Sequence, residues 1–190
     1  LLVQSLQLTA KGDEPAQTSD TYEDGTLTWL TSNILGKGVS TGAGDSIKWD
    51  LNTGAGSVGQ GVIETLLDLS QGELDTDLGG TKSAINATEG QFTYATTKAK
   101  VGEIVEFEAV FDTNDYSPYK DFSFYTINGE AFKIAAVGED VADFGKIKKT
   151  IQYTVQNSDF DKDNNGVFDE IYSYDENSGG GNLKIGFGIS

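Results

Sequence analysis

Val105-Glu106-Phe107-Glu108-Ala109-Val110-Phe111 sets Val105, Phe107, Ala109 and Phe111 on one side of an extended chain and Glu106, Glu108 and Val110 on the other. That period of two predicts a strand with one buried and one partly wet face, the pattern of an antiparallel sheet. The same reading holds on either side of it. Phe122, Phe124 and Thr126 begin another strand, and after an Asn128-Gly129 turn signal come Phe132 and Ile134. Thr26 to Thr31, the alternating Ile47, Trp49 and Leu51, Thr150 to Val155, and Leu183, Ile185, Phe187 and Ile189 complete the set. Gly, Asn, Asp and Ser clusters separate these runs, as tight turns require. No βαβ rhythm appears. The expected fold is therefore all-β, an antiparallel and jelly-roll-like β-sandwich, formed as one domain over residues 1–190.

Val62-Ile63-Glu64-Thr65-Leu66-Leu67-Asp68-Leu69 satisfies a helical stripe and a strand alternation alike. Its two β-branched residues and flanking glycines favour strand. The polar, Gly- and Asp-rich stretch from Ser70 to Gly90 reads as a long excursion.

The 190 residues hold 30 Asp and Glu against 13 cations, all of them Lys, for a net charge of -17, and there is no His, Cys, Met or Arg. Missing His and Cys exclude triads built on His, thiolate nucleophiles, the common zinc and copper sites, and disulfides. Only carboxylates, Lys, Tyr and hydroxyls remain for chemistry, so an enzyme is not expected. Such a charge repels phosphate, which argues against nucleic acid and against anionic membranes. No apolar run approaches the roughly 18 residues of a spanning helix. The chain opens at Leu1, which we read as a segment of a much longer protein. An acidic, Gly-rich, Cys-free chain with a core fits exported bacterial proteins held by calcium in place of disulfides.

The strongest chemical signal is Asp161-Lys162-Asp163-Asn164-Asn165-Gly166-Val167-Phe168-Asp169. Asp161, Asp163, Asn165 and Asp169 occupy positions 1, 3, 5 and 9 of a tight loop, Gly166 permits the turn at 6, and Val167 offers a backbone carbonyl at 7. Calcium needs six to eight hard oxygen donors, and three neighbouring carboxylates need a cation to offset their repulsion. The helical calcium hand also wants Glu at position 12, where this chain has Tyr172. We expect the loop without the hand, between strand-like flanks, with Glu170, Asp159 or a remote residue as the missing ligand. The bland alternative is a solvated acidic turn.

A second loop runs from Phe111 to Phe122 and carries Asp112, Asp115, Asp121, Tyr116, Tyr119 and Pro118. It reads as a second calcium site or the mouth of a binding site, or else as an ordinary polar connection. Ser32 to Val39, with Gly36 and Gly38, is a Gly-rich loop whose amides could receive an anion or a peptide backbone. Gly54-Ala55-Gly56-Ser57-Val58-Gly59 matches a dinucleotide fingerprint, but the strand before it alternates with Lys48 and Asp50, unlike a central parallel strand. Glu106 and Glu108 share one strand face and so do not flank a cleft as a glycosidase pair would.

Four stretches carry a resemblance: Ser32 to Gly38, Asp45 to Trp49, Pro118-Tyr119-Lys120-Asp121-Phe122-Ser123-Phe124-Tyr125 with Asn128-Gly129, and Leu183 to Ile189. In this order the chain resembles the peptide-binding domains near the C-terminal end of large calcium-dependent bacterial adhesins of the repeats-in-toxin (RTX) type. The resemblance implies a β-sandwich loaded with several calcium ions, displayed on the bacterial surface outside the cell. It implies capture of the C-terminal end of a protein on another cell, in colonisation or biofilm formation, with one calcium accepting the ligand carboxylate. On that reading Asp112, Asp115 and Asp121 hold the ion, Gly36, Lys37 and Gly38 fix the peptide backbone, and Tyr116, Tyr119 and Tyr125 pack on its side chains. A calcium-dependent glycan-binding module and a structural extender of the adhesin are the alternatives. The isolated domain is expected to be a monomer that does not insert into membranes.

Overall fold

The computed structural model describes residues 5–11, 28–30, 39–41, 46–52, 58–75, 89–113 and 121–190. Eleven strands lie within them: β1 (Ser5–Lys11), β2 (Thr28–Leu30), β3 (Val39–Thr41), β4 (Ser46–Asn52), β5 (Val58–Gly59), β6 (Glu89–Lys100), β7 (Ile104–Asp112), β8 (Phe122–Ile127), β9 (Glu130–Ala136), β10 (Lys146–Thr154) and β11 (Gly180–Ile189). One sheet runs in the order β10-β7-β1-β4-β3; the other runs β2-β6-β11-β8-β9, with β5 beside β6. Every strand pairing is antiparallel, so the chain is an all-β, sandwich-like fold. Among the described residues no helix is long and apolar enough to cross a membrane.

Alternation builds the space between the sheets. Phe107, Ala109 and Phe111 of β7 are buried there with Leu183, Ile185, Phe187 and Ile189 of β11. The Phe107 ring meets Phe187 edge-on at 4.7 Å and Tyr125 at 5.2 Å, the edge-to-face arrangement that the aromatic quadrupole favours. Glu106 and Glu108 stay on the wet face, where Glu108 meets Lys148 at 2.7 Å and Glu106 accepts from Gln152 at 2.5 Å. The hairpin signal is realised as well. Asn128 (φ 41°) and Gly129 (φ 79°) form a two-residue turn with both residues left-handed, between paired Ile127 and Glu130.

Two features depart from the sequence reading. Residues Gln60–Leu66 form a helix, α1, not a strand. It lies on the outer face of the second sheet, where Ile63, Leu67, Leu69 and Leu74 pack on Phe92, Phe122, Phe124 and Ala136. The decision is tertiary: Ile63 and Leu67, four apart, give the helix an apolar stripe that fits this face. The buried Glu64 carboxylate, accepting from Leu74 N, Gly72 N and Gln60 Nε2 at 2.9–3.0 Å, ties in the turn that follows. Of the expected excursion from Ser70 to Gly90, residues 70–75 hold a 3₁₀ turn at Glu73–Asp75, residues 76–88 lie outside the described residues, and β6 begins at Glu89. The flank at Ile171-Tyr172 is also not a strand, because Glu170–Tyr172 is a 3₁₀ turn.

Where α1 covers it, the second sheet is buried on both faces. β11 therefore needs side chains inward and almost none outward. A Cβ at Gly188 would run into the Phe124 ring, and one at Gly186 into Leu67 and Thr126. The antiparallel order and the helix capped by Gly59 also remove the parallel scaffold that a dinucleotide fingerprint requires.

Candidate functional site

The acidic loop leaves β10 at one end of the sandwich. Val155 is held by Glu103 O, and a 3₁₀ turn at Asn157–Asp159 follows. Asp161, only 6% exposed, stands at the base of the loop. Its Oδ1 accepts from Asn165 N at 3.1 Å and its Oδ2 from Gly166 N at 2.9 Å. Asp163 accepts from Asn165 N and Nδ2, and Asn165 Oδ1 accepts from Val167 N at 2.7 Å. Asp169 closes the loop: its N–H donates to Phe160 O at 2.7 Å and its Oδ2 accepts from Lys162 N at 2.9 Å. Asn164 (φ 54°) and Gly166 (φ 83°) are left-handed, so Gly166 takes the turn without the penalty a side chain would bring.

Beneath the loop lies an aromatic base. Phe160 is fully buried and meets Tyr174 at 5.2 Å, while Phe168 stacks on Tyr174 at 3.6 Å. Phe160 rests against Gly181 of β11, which leaves no space for a larger residue. Tyr172 reaches Asn128 O with its hydroxyl at 3.3 Å. Burial, followed by the carboxylates of Asp169, Asp68 and Asp159, pushes the Tyr172 phenol above its ordinary pKa.

Asp159, considered as a missing ligand, has another task. It is 1% exposed, with Oδ1 accepting from the Tyr153 hydroxyl at 2.6 Å and Oδ2 from Gln156 N at 2.8 Å. Burial and this bond to Asp159 raise the Tyr153 pKa strongly. Asn128 completes the brace. Its Nδ2 donates to Asp159 O at 2.8 Å and Asn182 O at 3.2 Å, and its Oδ1 accepts from Lys184 N at 2.6 Å. The sequence marks Asn128 only as a turn residue; its part in anchoring the loop comes from contacts 31 to 56 residues away.

The donors have the chemistry calcium prefers: Asp161, Asp163, Asn165 and Asp169 side-chain oxygens and the Val167 carbonyl. Their side chains are turned to loop amides, and among the described residues no three carboxylates converge tightly enough to hold an ion. Glu170 is exposed in the turn that follows.

The second candidate group lies elsewhere. β7 runs from the end that bears the acidic loop to the opposite end, where Asp112 pairs with Lys146 at 2.8 Å. Nine residues of strand separate the two ends by about 27 Å. Asp121 is half-buried at that far end, its carbonyl accepting from Val137 N at 3.0 Å. Asp115, Tyr116 and Tyr119, and Gly36, Lys37 and Gly38, lie outside the described residues. Tyr125 is on β8 between the sheets, stacked on Phe132 at 4.9 Å and edge-on to Phe107. Burial, then the charge of Glu130, raises its pKa. The structure thus gathers Asp161, Asp163, Asn165, Val167 and Asp169 at one end and sets Asp112 and Asp121 at the other. No protein-family model matches this chain, and neither a curated protein nor a solved structure matches it.

Proposed function

We propose that this chain is a jelly-roll-like, calcium-loaded ligand-binding domain of the RTX-adhesin type, acting outside the bacterial cell. It captures the C-terminal end of a peptide or protein on another cell, with a calcium ion accepting the terminal carboxylate. The observation that carries this reading is the 161–169 loop: five hard oxygen donors at calcium spacing, seated on a buried aromatic base. A chain at -17 repels a carboxylate, and a bound cation with an open position reverses the local field.

Burial of Asp161 and the amides closed around it favour a structural ion at 161–169, one that rigidifies the end of the sandwich. The ligand-contacting ion then belongs at the opposite end, with Asp112 and Asp121; Asp115, Tyr116 and Tyr119, its other expected partners, lie outside the described residues. Tyr125 stays in the core, packed on Phe107, Phe132 and Tyr153 nearer the 161–169 end, and takes no part in that group.

The test is binding of the purified domain to peptides with free C-termini, in calcium and in chelator, with C-terminally amidated peptides as controls. Calcium-dependent capture that amidation abolishes supports the reading. Asp121→Ala should then lose capture while keeping the calcium-dependent rise in melting temperature, and Asp161→Ala should lose that rise. Binding competed by free sugars would make the domain a glycan module. A folded domain that binds neither would make it a structural extender.

A further inference from the structure

The two outermost strands on one side of the sandwich are finished differently. β9 is sealed by side chains: Glu73 Oε1 accepts from Ala131 N at 3.0 Å, Lys149 Nζ donates to Ile134 O at 2.6 Å, and Asp140 Oδ2 accepts from Ala136 N at 3.1 Å. β10 is open. The bonds Thr113 N to Gly145 O and Val155 N to Glu103 O bracket its ladder with β7 and set the phase. Odd-numbered residues turn their backbone groups to β7, and Lys146, Lys148, Thr150, Gln152 and Thr154 turn theirs to the free edge. Among the described residues nothing bonds to that edge. The strand is nine residues long, alternates exposed and half-buried throughout, and contains no Pro, Gly or bulge. Long regular edges of this kind are templates for another strand.

We propose that β10 pairs antiparallel with β10 of a second copy of this chain, about a two-fold axis at Thr150. Charge selects this occupant. β10 carries three of the thirteen lysines and no carboxylate, so along this edge two strongly acidic copies set no carboxylate of one strand against a carboxylate of the other. Centring on Thr150 sets the lysine half of each strand against the uncharged half of the other: Lys148 faces Gln152, Lys146 faces Thr154, and Thr150 faces itself. Glu106, whose bond is to Gln152, receives Lys148 of the second copy. Moving the two-fold axis by two residues to Lys148 opposes Lys148 to Lys148; moving it to Gln152 leaves both lysines beyond the junction. The favoured register exchanges two backbone bonds at each of five facing pairs and joins the two five-stranded sheets into one. The dimer departs from the monomer that the sequence suggested, and it does not depend on peptide capture.

The chain has no Cys, so single cysteines report the register directly. In calcium, Thr150→Cys sits about 5.5 Å from its counterpart, and Lys146→Cys about 27 Å from its own. A short bis-maleimide should give covalent dimer with Thr150→Cys about tenfold faster than with Lys146→Cys; equal rates, or none, overturn the proposal. Sedimentation equilibrium supplies the second reading. Mass should double with concentration, more readily as salt screens the net charge. Thr150→Pro removes an outward N–H that β7 does not use, and should weaken the dimer about tenfold or more at unchanged melting temperature. Monomer at every concentration, or association that salt weakens, overturns the two-fold pairing.

Discussion

At Gly188 the chain has no room for one methyl group, because Phe124 fills the space a Cβ would need. Gly61, on the exposed side of α1, has nothing within 4 Å. The same substitution should therefore act in opposite directions. Gly188→Ala should destabilise by about 1–3 kcal/mol through overpacking, whereas Gly61→Ala should stabilise by about 0.5–1 kcal/mol through helix propensity. Denaturant midpoints of the two variants check this, and a loss at both positions would mean that α1 does not lie where described. Alternation in the sequence shows that β11 has an apolar side. That its other side had to be glycine became visible only with the helix above it.

Among the elements, α1 and the turn after it are held by two glutamates. Glu64 gathers Leu74 N and Gly72 N, and Glu73 takes Ser70 N and Ala131 N. Glu64→Ala leaves those amides without their acceptor and should cost about 1–3 kcal/mol. Hydrogen exchange at Gly72 and Leu74 should quicken most, while β7 and β10 keep their protection. Strands such as β7 and β11 were legible because one face of each is continuously apolar. β6 was not, since Gly90, Thr93, Thr96 and Thr97 dilute a pattern that burial on both faces had already weakened. α1 was misjudged because Val62 and Ile63 favour strands locally, and the sheet face that overrides them is assembled from residues far along the chain. That 161–169 turns tightly could be read from its Asp, Asn and Gly residues alone, whereas its brace of Asn128, Tyr153 and Asp159 depends on contacts that no local pattern records.

For the whole molecule, the connection between β9 and β10 works as a charged clamp. Lys133 meets Glu139 at 2.9 Å and Asp140 at 3.3 Å, and Lys149 meets Asp140 at 2.9 Å. Burial alone would raise the Asp140 pKa, but Lys149 and Lys133 outweigh it and hold the carboxyl below its ordinary value. A depressed carboxyl contributes stability that is present above the unfolded pKa, near 4, and is lost as pH falls through the folded one. Lys133 is raised, the bonds and charges of Glu139 and Asp140 outweighing its burial, so its share is lost only as pH climbs past about 10.5. Denaturant midpoints followed downward from pH 6 should fall less steeply for Asp140→Asn than for the parent chain. Parallel curves would remove Asp140 from the acid response.

β11 joins the two halves of its sheet, with β6 on one side and the β8–β9 hairpin on the other. Until residues 180–189 have left the ribosome, those halves have nothing between them, and each presents a raw edge. Folding of this sheet thus waits for β11 and relies on pairings distant in sequence, which places it among slow-forming topologies. The waiting intermediate, with two exposed edges, is the species most prone to aggregate when the chain is produced at high concentration.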